Sequence, residues 1–141
     1  MSATPRLIST RPGVDSVEHI SAFFDLRSLS PQLLADGYLA RAVHGEQLTM
    51  AVVEVDPGAV LPRHDHVNEQ FGMVIEGTMH FTVGEETRTL EPGGIWVIPS
   101  GTPHTATAGE TGAVVIDVFS PRRVDWAAHE LLETKATRWP R

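Results

Sequence analysis

The chain has 141 residues and a formal net charge of -7, from 11 Lys and Arg against 18 Asp and Glu, with no basic cluster. Such a length suits one domain with one core, and an acidic chain is a poor candidate for nucleic acid or an anionic membrane surface. There is no cysteine, so there is no disulfide framework and no thiolate chemistry. The opening MSATPRLIST lacks the apolar run of a secretory signal, and no apolar stretch approaches the roughly 18 residues of a membrane helix. The expected setting is the cytoplasm.

Residues 1–20 read as an irregular arm, and 21–35 (SAFFDLRSLSPQLLA) as a strand with a short helical turn. Tyr38–Val43 and Leu48–Val55 are β-rich, with His44-Gly45-Glu46 as the turn between them. Asp56-Pro57-Gly58 then breaks the run. Phe71–Ile75 precedes Glu76-Gly77, which reads as a hairpin turn. Met79, Phe81 and Val83 alternate with His80 and Thr82, the period of a half-buried strand. Thr87–Leu90, Ile95–Ile98 and Ala113–Phe119 are further strands, and Pro99–Pro103 is a loop. Val124, Trp126, Ala127, Leu131 and Leu132 are spaced like one face of a short C-terminal helix over Asp125–Thr134. Many short strands between Gly and Pro turns predict an all-β sandwich or barrel. The expected organisation is an N-terminal arm and edge strand over 1–37, a barrel over 38–120, and a C-terminal helix and tail over 121–141.

His64-Asp65-His66 is the first chemical signal. In a strand, residues i and i+2 point to one face, so the two imidazoles converge there. Gln70 has the same parity and joins them if the strand is regular. His104 follows the Pro99–Pro103 loop. Three imidazoles and an amide oxygen suit one divalent ion, and Mn, Ni, Zn, Fe and Co all remain open. A His-x-His pair alone is weak evidence, since surface histidines produce it as well. His19, His44 and His129 read as non-ligands, and His80 as a surface residue or one standing behind the ligands.

The spacing around these residues is more specific. Gly58, five residues, His64-x-His66, three residues, Gln70, six residues, Gly77 resembles the first cupin motif. Gly93, five residues, Pro99-x-Gly101, two residues, His104 resembles the second, and 15 residues separate the two. The resemblance covers residues 38–120 and implies a single-domain cupin, a jelly-roll barrel also called a double-stranded β-helix. Two positions depart from the general pattern. Gln70 stands where a glutamate is usual, and Ala108 where an asparagine usually closes the second motif. Glu69 is one place out of register and reaches the metal only through a bulge. A neutral Gln70 leaves the site one unit more positive, which favours an anionic substrate and a stronger Lewis acid.

Asp117 and Phe119 share one face of the last strand, and a carboxylate in an apolar strand is costly unless paired or used. Pointing inward, Asp117 is a general acid/base candidate; pointing outward, it is a solvated charge. Arg123 suits a bidentate grip on a carboxylate, and equally a salt bridge to Asp125 or Glu130. The runs Glu69-Gln70-Phe71-Gly72, Gly112-Ala113-Val114-Val115 and Asp117-x-Phe119-Ser120-Pro121-x-Arg123-x-Asp125-Trp126 are similar to the KdgF cupins of pectin and alginate breakdown. That resemblance implies metal ligands His64, His66, Gln70 and His104, and catalytic roles for Asp117, Phe119 and Arg123. It implies an isomerase that opens a 4,5-unsaturated uronate ring to its linear keto form. The other readings are a dioxygenase or lyase acting on a small acid, and a binding module without turnover. Small cupins commonly dimerise, so a homodimer is expected, with the segment holding Phe23-Phe24 pairing across a sheet edge.

Overall fold

Short apolar runs in this chain become antiparallel strands because β-branched residues pack well on a pleated surface and glycine or proline ends each run. The computed structural model describes residues 21–141 and, before them, only the backbone of one short pair, Leu7–Ile8 (β1) with Glu18–His19 (β2). The arm expected over residues 1–20 otherwise lies outside the described residues. The main sheet comprises β3 (Gln32–Ala35), β4 (Tyr38–His44), β5 (Thr49–Val55), β6 (Val60–His64) and β7 (Glu69–Val83). It continues with β8 (Glu86–Leu90), β9 (Ile95–Ile98) and β10 (His104–Ser120).

The hydrogen-bonded order is β3-β4-β5-β10-β7-β8, with β6 also on β10 and β9 also on β7. Two long strands, β7 and β10, therefore belong to both halves of a jelly-roll barrel. The first half of β7 pairs with β9 and the second with β8, while β10 pairs first with β6 and then with β5. The bend between halves falls where Gly77 faces Gly112. Both have positive φ, 79° and 75°, and a Cβ on Gly77 would lie 2.0 Å from the Gly112 carbonyl oxygen. Only glycine fits a left-handed backbone at such an approach. The Glu76-Gly77 pair expected to turn a hairpin is thus a kink within one strand, which continues to Val83. Similarly, the last strand begins at His104 rather than at Ala113.

The core fills the space between the halves, with Val53, Val55, Val74, Met79, Phe81 and Ile98 among its buried side chains. The C-terminal segment makes one turn of 3-10 helix, Val124–Ala128, and no helix to Thr134. No side chain caps its start, and the following backbone is used elsewhere. Leu132 N–H donates to Pro31 O (2.8 Å), and the carbonyls of Lys135 and Ala136 accept from Arg41. Arg41 and Glu54, a buried pair at 2.7 Å, thereby fasten the tail across β4 and β5. No helix among the described residues is long and apolar enough to cross a membrane.

Candidate functional site

His64 ends β6 and His104 opens β10, and the two residues are direct cross-strand partners. Their ring centroids are 4.2 Å apart. His66 lies beyond β6, and its ring sits 4.9 Å from that of His104. Ligand atoms of all three lie within 4.8 Å of one another. His64, His66 and Gln70 do not share one regular strand, contrary to the expectation from their parity. The chain turns after His64, and Gln70 arrives on the next strand, β7.

Hydrogen bonds fix the protonation of each ring. Nδ1 of His64, His66 and His104 donates to the carbonyls of Pro62 (2.8 Å), Asn68 (2.9 Å) and Thr102 (2.8 Å). A carbonyl only accepts, so each Nδ1 carries the proton and each Nε2 of a neutral ring presents a lone pair. Burial pushes the His104 imidazole down to about 4, and burial with the nearby Arg123 charge lowers that of His66. Both are therefore neutral at neutral pH. His104 Nε2 is fully buried with no hydrogen-bond partner.

Gln70 adds a further donor atom. Its Nε2 donates to Asp117 Oδ1 (2.8 Å), which turns Oε1 to within 3.0 Å of His66 Nε2. Two acceptors at this distance repel unless a cation lies against both. The orphaned His104 nitrogen, the facing acceptors and the N3O donor set all fit one divalent ion. Glu69 is exposed on the opposite face of β7, so Gln70 and not Glu69 faces the histidines.

Asp117 points inward and is only 8% exposed. Its Oδ1 accepts from Gln70 and from Trp96 Nε1 (3.2 Å). Burial pushes its carboxyl up to about 6, partly offset by these two hydrogen bonds. A carboxyl poised there exchanges protons near neutral pH. It lines a cavity of about 360 Å³ together with His64, Gln70, Phe119 and Arg123. The rest of the lining is largely apolar, as in ligand pockets generally. Phe119 is buried, its ring T-shaped to that of His66 with centroids 5.8 Å apart. The Arg123 guanidinium lies 4.8 Å from the ring centres of both Phe119 and Trp126. Its fork grips Asp125 through Nε (3.1 Å) and Nη2 (2.9 Å). The salt-bridge reading of Arg123 is thus present, at the cavity wall.

The remaining histidines lie outside the cluster. His80 is exposed and bonded to Thr89, and His44 is paired with Thr49. The His19 side chain lies outside the described residues, and His129 lines the cavity without belonging to the three-histidine cluster. Sequence reasoning missed Trp96 and Asn68. Asn68 donates from its side chain to the Pro121 and Arg122 carbonyls, tying the His66 loop to the segment that carries Arg123. The signal for Trp96 was the side-chain-less Gly72, its neighbour in register.

The Cupin domain family matches residues 51–119. The pectin degradation protein KdgF of Dickeya dadantii (strain 3937) is 30% identical over 95 residues, which span 66% of this chain and 86% of that protein. The structure of KdgF from Halomonas sp. superposes with a TM-score of 0.69 at 36% identity, covering 74% of this chain and 97% of that one. A Bacillus subtilis oxalate decarboxylase structure, from work on its Mn(II) centres, superposes at TM-score 0.66 and 25% identity, covering 77% of this chain but only 32% of that one. Fold, histidine cluster and these likenesses agree: the chain belongs to the cupin superfamily and is of the KdgF-like type.

Proposed function

We propose that this protein is a metal-dependent isomerase that opens the ring of a 4,5-unsaturated uronate, of the galacturonate type, to the linear keto form. The observation that carries the proposal is the pairing of Gln70 with Asp117, which joins a metal donor set to a buried acid/base group in one cavity. Likeness to a protein named for pectin degradation supports the substrate class.

His64, His66, Gln70 and His104 would hold the metal. When bound, a divalent ion supplies Lewis-acid stabilisation of charge on substrate oxygens. The chain's own groups account for the proton movements. The substrate is a cyclic enol ether with an anomeric hydroxyl. Loss of the hydroxyl proton, cleavage of the bond between C1 and the ring oxygen, and protonation of C4 give an aldehyde and a 5-keto group with no net gain or loss of atoms. Asp117, with a carboxyl near 6, accepts the first proton and returns one to C4. Arg123 at the cavity wall holds the substrate carboxylate, sharing its fork with Asp125. Phe119 and Trp126 keep that corner apolar and limit water.

A second reading is favoured by the likeness to oxalate decarboxylase, at 28% identity over 28% of that protein. It makes the chain an enzyme of another reaction on a small acid. The neutral Gln70 ligand weighs against it, since a carboxylate there would better support a higher oxidation state. The deciding experiment follows loss of the conjugated double-bond absorbance of 4,5-unsaturated galacturonate by protein loaded with Mn, Ni, Zn or Fe(II). Metal-dependent loss above the spontaneous rate, absent in Gln70→Ala, is expected. No acceleration with any metal would refute ring opening. Carbon dioxide release or oxygen uptake would then point to a decarboxylase or oxygenase, and binding without turnover to a binding module.

A further inference from the structure

β7 begins and β10 ends at one register pair, Glu69 with Ser120. The next pair would be Asn68 with Pro121, and proline has no N–H with which to continue the ladder. The carbonyls beyond still need donors. Asn68 supplies one from its side chain: Nδ2 donates to Pro121 O and, at 3.4 Å, to Arg122 O. Asn68 is only 5% exposed, so little water competes for these bonds.

The main chain of the same residue makes a different contact. Its carbonyl accepts from His66 Nδ1 at 2.9 Å, and His66 is one of the three clustered imidazoles. Asn68 therefore holds a metal-site ring with its backbone and the segment leading into Arg123 with its side chain. Arg123 has a second anchor. Its amide N–H donates to Oγ1 of Thr49, a fully buried residue on β5, at 2.8 Å. From that fixed backbone the guanidinium lies over Phe119 and Trp126 at the cavity wall.

We infer that Asn68 is a positioning residue that couples the metal site to Arg123. The functional side of this inference rests on the proposal that Arg123 holds the substrate carboxylate. A cation at His66 Nε2 makes Nδ1–H a stronger donor, because charge on one ring nitrogen is shared with the other. The bond to the Asn68 carbonyl strengthens, and the residue carrying the amide moves less. The Pro121 and Arg122 carbonyls are then held more firmly, and the Arg123 amide opens less often. The guanidinium is in place before an anion arrives, so less ordering is left to occur on binding. Such coupling is reciprocal: an anion on Arg123 tightens the metal site by the same factor.

The test uses the full chain with zinc, which is redox-inert and diamagnetic. The readout is hydrogen exchange of the Arg123 amide, compared with that of Gly94, whose N–H donates to Glu91 O in the turn between β8 and β9. In wild type, zinc should slow exchange at Arg123 by about tenfold more than at Gly94. Asn68→Ala keeps the backbone carbonyl and all three histidines. It should still bind zinc by calorimetry, while Arg123 responds no more than Gly94. Asn68→Ser, whose single hydroxyl proton serves at most one of the two carbonyls, should also show a reduced response, and it replaces the alanine variant if that one fails to fold. Galacturonate, which has no 4,5 double bond to open, reads the anion side on zinc-loaded protein. Its Kd should rise by about tenfold in Asn68→Ala, and no further when that change is added to Arg123→Gln. A zinc effect at Arg123 that is absent from wild type or persists in Asn68→Ala would overturn the coupling, as would additive effects of the two substitutions on galacturonate. Wild type that binds no galacturonate would instead refute the uronate reading, and the exchange experiment alone would decide the coupling.

Discussion

Trp96 Nε1 reaches Asp117 Oδ1 across Gly72, a residue with no side chain to stand between them. The three are neighbours in register on β9, β10 and β7. A Cβ on Gly72 would lie 2.1 Å from Trp96 Cε2, inside the indole itself. The far side of the ring stacks on Phe81 at 4.6 Å between centroids. The indole is thus held by the core, and its N–H aims the carboxylate that in turn aims Gln70.

Gly72→Ala should therefore displace the indole. The expected loss is about 1–3 kcal/mol of stability, the usual cost of overpacking, with activity falling further than stability. Trp96→Phe keeps an aromatic ring in the stack on Phe81 but removes the N–H together with the five-membered ring that bears it. It should leave a folded protein with lowered kcat and a weaker thermal shift on metal addition. Denaturant unfolding and metal titration of both variants check this. Unchanged kcat and metal response in Trp96→Phe would mean the hydrogen bond has no positioning role.

The three-histidine cluster could be anticipated from the motif resemblance, because motif glycines, histidines and prolines punctuate turns at fixed distances. The reason these residues meet could not. His64 and His104 are joined by a strand register, and Gln70 comes from the strand after a chain reversal. Such pairings are long-range, and local periodicity carries no trace of them. The direction of Asp117 was open for the same reason, since parity fixes its neighbours but not which face is buried. The C-terminal spacing misled: Trp126 buries itself against Phe119 while Leu131 stays exposed, so the apolar positions do not form one helical face.

Gln70→Glu separates the two jobs of this residue. It supplies a charged oxygen to the metal but removes the donor to Asp117 Oδ1, leaving two carboxyl groups in contact. Such a pair shares a proton, and one of its apparent pKa values rises. The expected outcome is tighter metal binding with kcat lower by about a hundredfold or more, the scale of one general acid/base contribution. Isothermal titration and turnover on one preparation decide. If kcat rises, the neutral amide is not a requirement of the reaction.

Arg123→Lys keeps a charge but loses the planar fork that lies between Phe119 and Trp126 and grips Asp125. Replacing a bidentate, stacked guanidinium is not conservative. KM for an anionic substrate should rise by about tenfold, corresponding to about 1.4 kcal/mol, with metal affinity unchanged. A kcat effect at constant KM would place Arg123 in the chemical step instead.

The buried carboxyl predicts a pH-dependent stability in metal-free protein. The Asp117 pKa is raised from 3.8 to about 6 in the fold. A raised pKa means that the folded state binds the proton more tightly. The stabilisation is fully present below about pH 4 and is lost as pH rises through 6, by about 3 kcal/mol for a shift of about two units. His104, lowered to about 4, acts oppositely: its neutral form stabilises the fold above pH 6.5, and the benefit is lost as pH falls toward 4. Asp117→Asn keeps His104 and removes only the first effect, so the difference between wild type and variant isolates it. In chelator, the variant should gain on wild type by about 3 kcal/mol between pH 4 and pH 8, read from urea midpoints at each pH. A difference that stays flat across that range would show that Asp117 titrates at its ordinary value, which would remove the basis for its proton-transfer role.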